Sequence, residues 1–199
     1  MPNGCVRGIG VLVALLLTLS ACVPATPTLD IGDGGFLSGE PCGPPCFWGI
    51  VPGQTKEAEV LEILQKRGIL EACEGFNKET EGGSRGIKCG SQLVIGFNKG
   101  SDLVAGVGFS PSDITVQEVI AKYGEPSGIY LGVIGVHMFH YQMIMAYPRI
   151  LALVRLSVQD KWPYILEPST PVTNIAYDVV FDENFSYNWE KWHGYGQYP

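Results

Sequence analysis

Two stretches of the chain space their apolar residues as one face of a helix requires, and each is followed by segments patterned like strands. In residues 55–68, Thr55 is placed to cap, Glu57 and Glu59 stand near the positive end of the helix dipole, Lys66 and Arg67 near the negative end, and Gly68 stops the helix. In residues 115–126, Thr115-Val116-Gln117-Glu118 is a capping box, Val116, Val119, Ile120 and Tyr123 line one face, and Gly124-Glu125-Pro126 ends it. Strand patterns cover 69–76, 87–97 and 103–109 after the first helix, and 128–134, 137–147 and 150–158 after the second, with a further strand over 172–181. Turns at Asn98-Lys99-Gly100-Ser101 and Pro148-Arg149 fold the last two strands of each set into hairpins.

The two helix starts also match each other. Gly49-Ile50-Val51-Pro52 with Glu59-Val60-Leu61 has the same internal spacing as Gly108-Phe109-Ser110-Pro111 with Glu118-Val119-Ile120, offset by 59 residues. The expected fold is therefore α+β: a tandem duplication of a helix plus a three-stranded antiparallel sheet unit, over 42–110 and over 111–182 with its extra strand, with the helices packed on one sheet face. Residues 22–41 mix Pro, Gly and Thr without an apolar period, as a flexible tether does, and 183–199 form an aromatic tail.

The N-terminus has a different character. One cation, Arg7, precedes an apolar run from Ile9 to Leu17 and a small-residue close at Leu19-Ser20-Ala21-Cys22, the layout of an export signal over 1–21. The run is shorter than the roughly 20 residues a bilayer-crossing helix needs. Leu-Ser-Ala-Cys resembles the lipobox of bacterial lipoproteins. That resemblance implies that Cys22 is acylated, becomes the first residue of the mature chain and anchors it to the outer side of a membrane. Val23 is not the aspartate associated with inner-membrane retention in two-membrane bacteria, which leans outward without deciding which membrane holds the anchor. Loss of Arg7 with the signal takes the formal charge from −7 to −8, which disfavours nucleic acid and anionic headgroups as partners.

Thr115, Glu118, Val119, Gly124 and Pro126, read as T-x-x-E-V-x4-G-x-P, are similar to the repeated motif of the SmpA/OmlA lipoproteins and of β-lactamase inhibitory proteins. Those are small α+β modules that act by binding other proteins, and the resemblance implies such a role here. The first half departs from the motif, with Lys66-Arg67-Gly68-Ile69 where Gly-x-Pro should stand.

With Cys5 in the signal and Cys22 lipidated, Cys42, Cys46, Cys73 and Cys89 remain, an even number that reads as two disulfides in an oxidising compartment. A four-cysteine zinc site would favour two close pairs, which the spacing of Cys73 and Cys89 breaks. If 69–76 and 87–97 form a hairpin centred on residue 81, Cys73 falls opposite Cys89, leaving Cys42 with Cys46; the two other pairings are the alternatives.

Candidate chemistry is sparse. Gly82-Gly83-Ser84-Arg85-Gly86 has the letters of a nucleophile elbow but not the strand before it and helix after it. Cys42-Gly43-Pro44-Pro45-Cys46 lacks the following helix that activates a redox thiol. His137 and His140, three apart on a strand, point to opposite faces, and His193 has no cysteine or serine nearby in sequence to activate. The tail gathers Phe185, Tyr187, Trp189, Trp192, Tyr195 and Tyr198, either to cover the sheet edge or core or as a contact surface. Alternation puts the first three on one face for docking and leaves Trp192, Tyr195 and Tyr198 exposed, so Trp189, Trp192, Tyr195 and Tyr198 are the candidate binding residues. No cofactor or metal is expected. The functional expectation is a non-catalytic lipoprotein that binds a protein or envelope polymer, held to the bilayer through acylated Cys22. The alternative is an envelope hydrolase using His137, His140 or Asp178.

Overall fold

The computed structural model describes residues 29–77, 85–134, 140–157, 163–178 and 189–198. Alternation decides how its strands combine. Ile87 and Cys89 in β2 (Arg85–Cys89), Leu93, Ile95 and Phe97 in β3 (Leu93–Phe97), and Val104, Val107 and Phe109 in β4 (Val104–Phe109) are buried, while Lys88 and Val94 are exposed. Each strand thus has one face to hide. Register lines those faces up, with Ile87 opposite Ile95 and Ile95 opposite Val107. The apolar rows run on through Ile175 and Tyr177 of β9 (Val172–Asp178), Ala152 and Val154 of β7 (Ala152–Leu156), Met143 and Met145 of β6 (His140–Tyr147) and Ile129 of β5 (Gly128–Ile134). With β1 (Cys73–Asn77) and β10 (Trp189–Glu190) at its edges, the result is a nine-stranded antiparallel sheet in the order β1-β2-β3-β4-β9-β7-β6-β5-β10.

This sheet overturns the expected tandem of helix plus three-stranded units; the protein is mostly β, with two α-helices among the described residues. The strand expected over 87–97 is two strands, because the chain turns at Gly90, whose φ of 57° suits a residue without a side chain. Four strands therefore follow the first helix. β9, from late in the sequence, enters between β4 and β7, so the halves share one sheet instead of forming two. Periodicity reports which face of a strand is buried, not which strand lies beside it. It also passed over β8 (Tyr164–Leu166) and β11 (Gly196–Tyr198), three-residue strands that form a separate two-stranded sheet.

The helices form where local chemistry favours them. α2 (Val116–Tyr123) begins at the expected capping box: the Thr115 N–H donates to Glu118 Oε2 at 2.9 Å and Thr115 Oγ1 accepts from the Glu118 N–H at 3.5 Å. α1 (Glu57–Lys66) is capped differently. Lys56 is its N-cap, with its N–H donating to Glu59 Oε2 at 2.8 Å, while Thr55 Oγ1 accepts from the Val51 N–H at 2.8 Å and closes the preceding turn. Val60 and Leu64, and Val116 and Val119, sink into the same apolar cluster as the sheet rows. Arg85 ties α1 to the sheet, donating to Glu57 Oε2 at 2.6 Å and to the Ser101 carbonyl at 2.8 Å.

Both disulfides have the expected pairing, Cys42 with Cys46 and Cys73 with Cys89, the latter directly opposite each other in the β1–β2 register. Of the stretch expected as tether, residues 29–41 pack on the domain, with Ile31 and Phe36 buried beside Phe47 and Ile50. Asp33 holds this segment in shape: its carboxylate accepts from the Gly35, Leu37 and Ser38 N–H groups and from the Ser38 hydroxyl. Burial pulls its pKa upward, but these four hydrogen bonds outweigh that and leave it below the usual carboxylate value.

On the face away from the core, Gly86, Gly96 and Gly106 stand side by side in three neighbouring strands. A Cβ on Gly86 would collide with the Ile95 carbonyl oxygen, whereas one on Gly96 would meet nothing closer than the Gly106 oxygen at 3.9 Å. We expect Gly86→Ala to cost about 2 kcal/mol, as overpacking against backbone does, and Gly96→Ala to stay within about 1 kcal/mol of the wild type; equal urea midpoints for the two variants would contradict this. Asp33 gives a pH-dependent counterpart. Its folded pKa is depressed, so its stabilisation is complete above the unfolded value of about 3.9 and is lost as pH falls through the folded value. Asp33→Asn should cost on the order of 1 kcal/mol at neutral pH, a hydrogen-bond value discounted for partial exposure. Urea unfolding should show that difference shrinking on acidification, and a difference unchanged by pH would refute the assignment.

Candidate functional site

The C-terminal end of α2, the start of β5 and the turn between β6 and β7 converge on a cleft. α2 stops at Gly124, whose φ of 79° lets the chain reverse and whose carbonyl accepts a hydrogen bond from the Tyr147 hydroxyl at 3.2 Å. The Ser127 N–H then donates to the Ala146 carbonyl at 2.9 Å, drawing the start of β5 to the end of β6. Opposite, a short helical turn over Pro148–Ile150 carries Arg149 outward before the chain enters β7. The cleft so framed has a volume of about 300 Å³, with Tyr123, Glu125 and Ser127 on one side and residues 147–150 on the other.

Burial shapes the electrostatics of its two tyrosines. Burial pushes the Tyr123 phenol up to about 12, with the Asp33 charge adding to the effect. Burial also raises Tyr147, helped by the neighbouring Tyr195 phenol. Both therefore stay protonated at neutral pH, and both donate inward, Tyr123 to the Phe36 carbonyl and Tyr147 to the Gly124 carbonyl. Neither is free to act as a base. Glu125 and Arg149 are exposed and make no side-chain hydrogen bond or ion pair with another described residue. The cleft thus offers the half-buried Tyr123 ring, one carboxylate acceptor and one guanidinium donor.

The tail reaches this region from the far edge of the sheet. Trp189, in β10, pairs with Tyr130 of β5, their ring centroids 5.7 Å apart, so it closes the sheet edge. Tyr198, expected to be exposed, is buried: β11 pairs with β8, setting Tyr198 opposite Tyr164, and its hydroxyl donates to the Gly194 carbonyl at 2.8 Å. Trp192, also expected in solvent, is half-buried against the core, and its Nε1 has no hydrogen-bond partner among the described residues. Of that trio only Tyr195 stands out, 40% exposed and 6.0 Å from Trp192. Comparison with protein-family models, with curated proteins and with solved structures finds no match to this chain. The local chemistry therefore carries the argument alone.

None of the other candidate residues that are described lines the cleft. Cys22, His137, Ser84, Phe185 and Tyr187 lie outside the described residues. Cys42–Cys46 leads into a turn in which Phe47 bridges Ile50, not into a helix. His193 stacks on Tyr198 at 4.0 Å between centroids. His140 opens β6, while Asp178 adjoins Tyr177, whose row continues through Ala152 to Tyr147 at the other end of β6. At about 3.3 Å per residue the two are separated by roughly 20 Å along the strands. No group of three metal-ligating side chains occurs among the described residues. The cleft itself was hidden in the sequence, since Gly124 and Pro148 read only as a helix stop and a turn.

Burial separates the tail residues experimentally. Tyr198→Ala should cost about 3–5 kcal/mol, as truncating a buried aromatic does, and Tyr195→Ala about 0.5 kcal/mol or less. Thermal unfolding of the two variants measures this, and a Tyr195→Ala loss as large as that of Tyr198→Ala would overturn the assignment of Tyr195 to the surface.

Proposed function

We propose that the chain is a lipid-anchored, extracytoplasmic binding module: acylated Cys22 holds it at a membrane, and the cleft between Tyr123 and Arg149 takes a component of the cell envelope. The observation that carries the binding role is a pair of opposite charges, Glu125 and Arg149, that find no partner among the described residues and line a cleft of about 300 Å³. Such a volume lies at the small end of ligand sites, which run from about 300 to 1,000 Å³. The lipobox-like run Leu19-Ser20-Ala21-Cys22 supports the anchor, and the two disulfides accord with an oxidising compartment. The similarity of the α2 start to protein-binding lipoproteins adds to the binding reading by analogy. The separation of His140 from Asp178 counts against the hydrolase alternative.

The anchor would keep the module near the bilayer. Leu29 already packs against the core, and the stretch from Cys22 to Leu29 can extend at most roughly 25 Å. The ligand is then something present close to the membrane surface. Cys22→Ser should abolish metabolic labelling with fatty acid and release the protein from the membrane fraction. In a binding assay on isolated cell envelopes stripped of the endogenous protein, Arg149→Ala should reduce retention severalfold, on the order of 1 kcal/mol. Undiminished labelling of Cys22→Ser would reject the anchor, and unchanged retention of Arg149→Ala would reject the cleft as the contact.

A further inference from the structure

We propose that the solvent face of the two-stranded β8–β11 ribbon docks on the bilayer that holds the chain, an inference that rests on the acylated Cys22 of the reading above and not on the cleft. Among the described residues the most exposed large apolar side chain is Ile165, at 66%. It stands in β8 between Tyr164 and Leu166, both buried, so alternation turns it out of the core. Register sets β11 beside it, with Gln197 opposite Ile165 and Gly196 opposite Leu166. Tyr195, the residue before Gly196, is also exposed, and the half-buried Trp192 lies 6.0 Å from it between ring centroids. An isoleucine, a tyrosine and a tryptophan thus gather at one short ribbon, whereas the other exposed large apolar residues, Leu61 and Val94, lie on separate elements, α1 and β3. Tyrosine and tryptophan are the residues that membrane interfaces favour, since each combines an apolar ring with a polar tip.

The anchor decides what covers this face. Leu29 packs against the core, and the stretch joining it to Cys22 spans at most roughly 25 Å. The entering chain and the ribbon meet at the start of α2: the Ser112 N–H donates to the Gly32 carbonyl at 3.3 Å, and the Gln117 N–H donates at 3.0 Å to the carbonyl of Pro168, two residues past β8. Only residues 113–116 separate the two donors along the chain. The short tether can therefore bring the ribbon to the surface in which Cys22 is held. There the bilayer is present at the high effective concentration of any linked site, so a few apolar side chains suffice where a free partner would need a full interface. Glu167, Glu190 and Lys191, exposed on the same segments, are of mixed sign, and the chain carries a net charge of −7. Nothing here attracts an anionic headgroup, so the surface engaged is zwitterionic lipid.

The test uses the full chain with its anchor in phosphatidylcholine vesicles whose acyl chains are brominated near the glycerol backbone, where bromine quenches tryptophan on contact. Ile165→Trp and Val94→Trp place reporters at two exposed positions, one on the ribbon and one on the sheet face away from the core. The Ile165→Trp reporter should lose several times more of its fluorescence to brominated lipid than the Val94→Trp reporter, and Trp192→Phe should remove part of the quenching that the wild type shows. Melting temperatures close to the wild type's check that these surface variants fold. Should a reporter variant unfold, Trp192→Phe against the wild type decides alone, with unchanged quenching as the contrary result. Equal quenching of the two reporters, in chains that float with the vesicles, would overturn the docking and leave the anchor standing. Chains that do not float would overturn both. If equal quenching comes with a dimer that Ile165→Asp dissociates, or with envelope retention that Ile165→Asp abolishes, the face belongs to a second copy or to an envelope protein and the proposal falls.

Discussion

A long antiparallel sheet built from two halves of a chain needs something to join them, and here the joint is β9. Ile175 lies opposite Phe109 of β4 on one side and Val154 of β7 on the other, and Tyr177 lies opposite Val107 and Ala152 in the same way. Each buried residue of β9 therefore completes apolar rows that neither half could close alone. Tyr177 is also where the overlying chain attaches: Phe109 and Phe36 lie 5.8 and 6.4 Å from its ring, and Phe36 packs on Tyr123 of α2 at 4.9 Å. Remove β9 and the sheet becomes two smaller ones, each with a newly exposed edge of unpaired backbone groups.

The cleft depends on the same joint. Its Tyr147 wall is the last residue of β6, placed by the row that runs from Tyr177 through Ala152. Its Tyr123 wall is held by the segment around Phe36, which Asp33 shapes. Two chain segments far apart in sequence thus set the two sides of one cleft, while the tail closes the sheet edge with Trp189.

Features that short-range chemistry determines were legible in the sequence. The Thr115 to Glu118 capping box, the Gly68 and Gly124 helix stops and the opposition of Cys73 to Cys89 all follow from interactions between residues close along the chain or across one hairpin. Gly90 was overlooked because the alternation of Ile87 and Cys89 resumes in step at Leu93, Ile95 and Phe97, although the positive φ at Gly90 turns the chain between two strands. β9 was recognised as a strand, but its place at the centre depends on pairing with β4, more than sixty residues away, which no local pattern encodes. Residues 29–41 looked like a tether because Asp33 and its glycines resemble loop composition, yet Ile31 and Phe36 were the two apolar residues that this loop delivers to the core. Tyr198 misled for a related reason: its glycine-rich surroundings suit irregular structure, and the short pairing with β8 that buries it leaves no periodicity.

If β9 joins the halves into one cooperative unit, weakening it must loosen both. Hydrogen exchange of Ile175→Ala under native conditions measures this directly, with β2 and β3 reporting on the first half and β5 and β6 on the second. Truncating a buried isoleucine costs about 2–5 kcal/mol, and the opening free energies of both halves should fall by that same amount. A drop confined to β7 and its neighbours, with β2 and β3 as protected as in the wild type, would show two independent sheets and contradict the account.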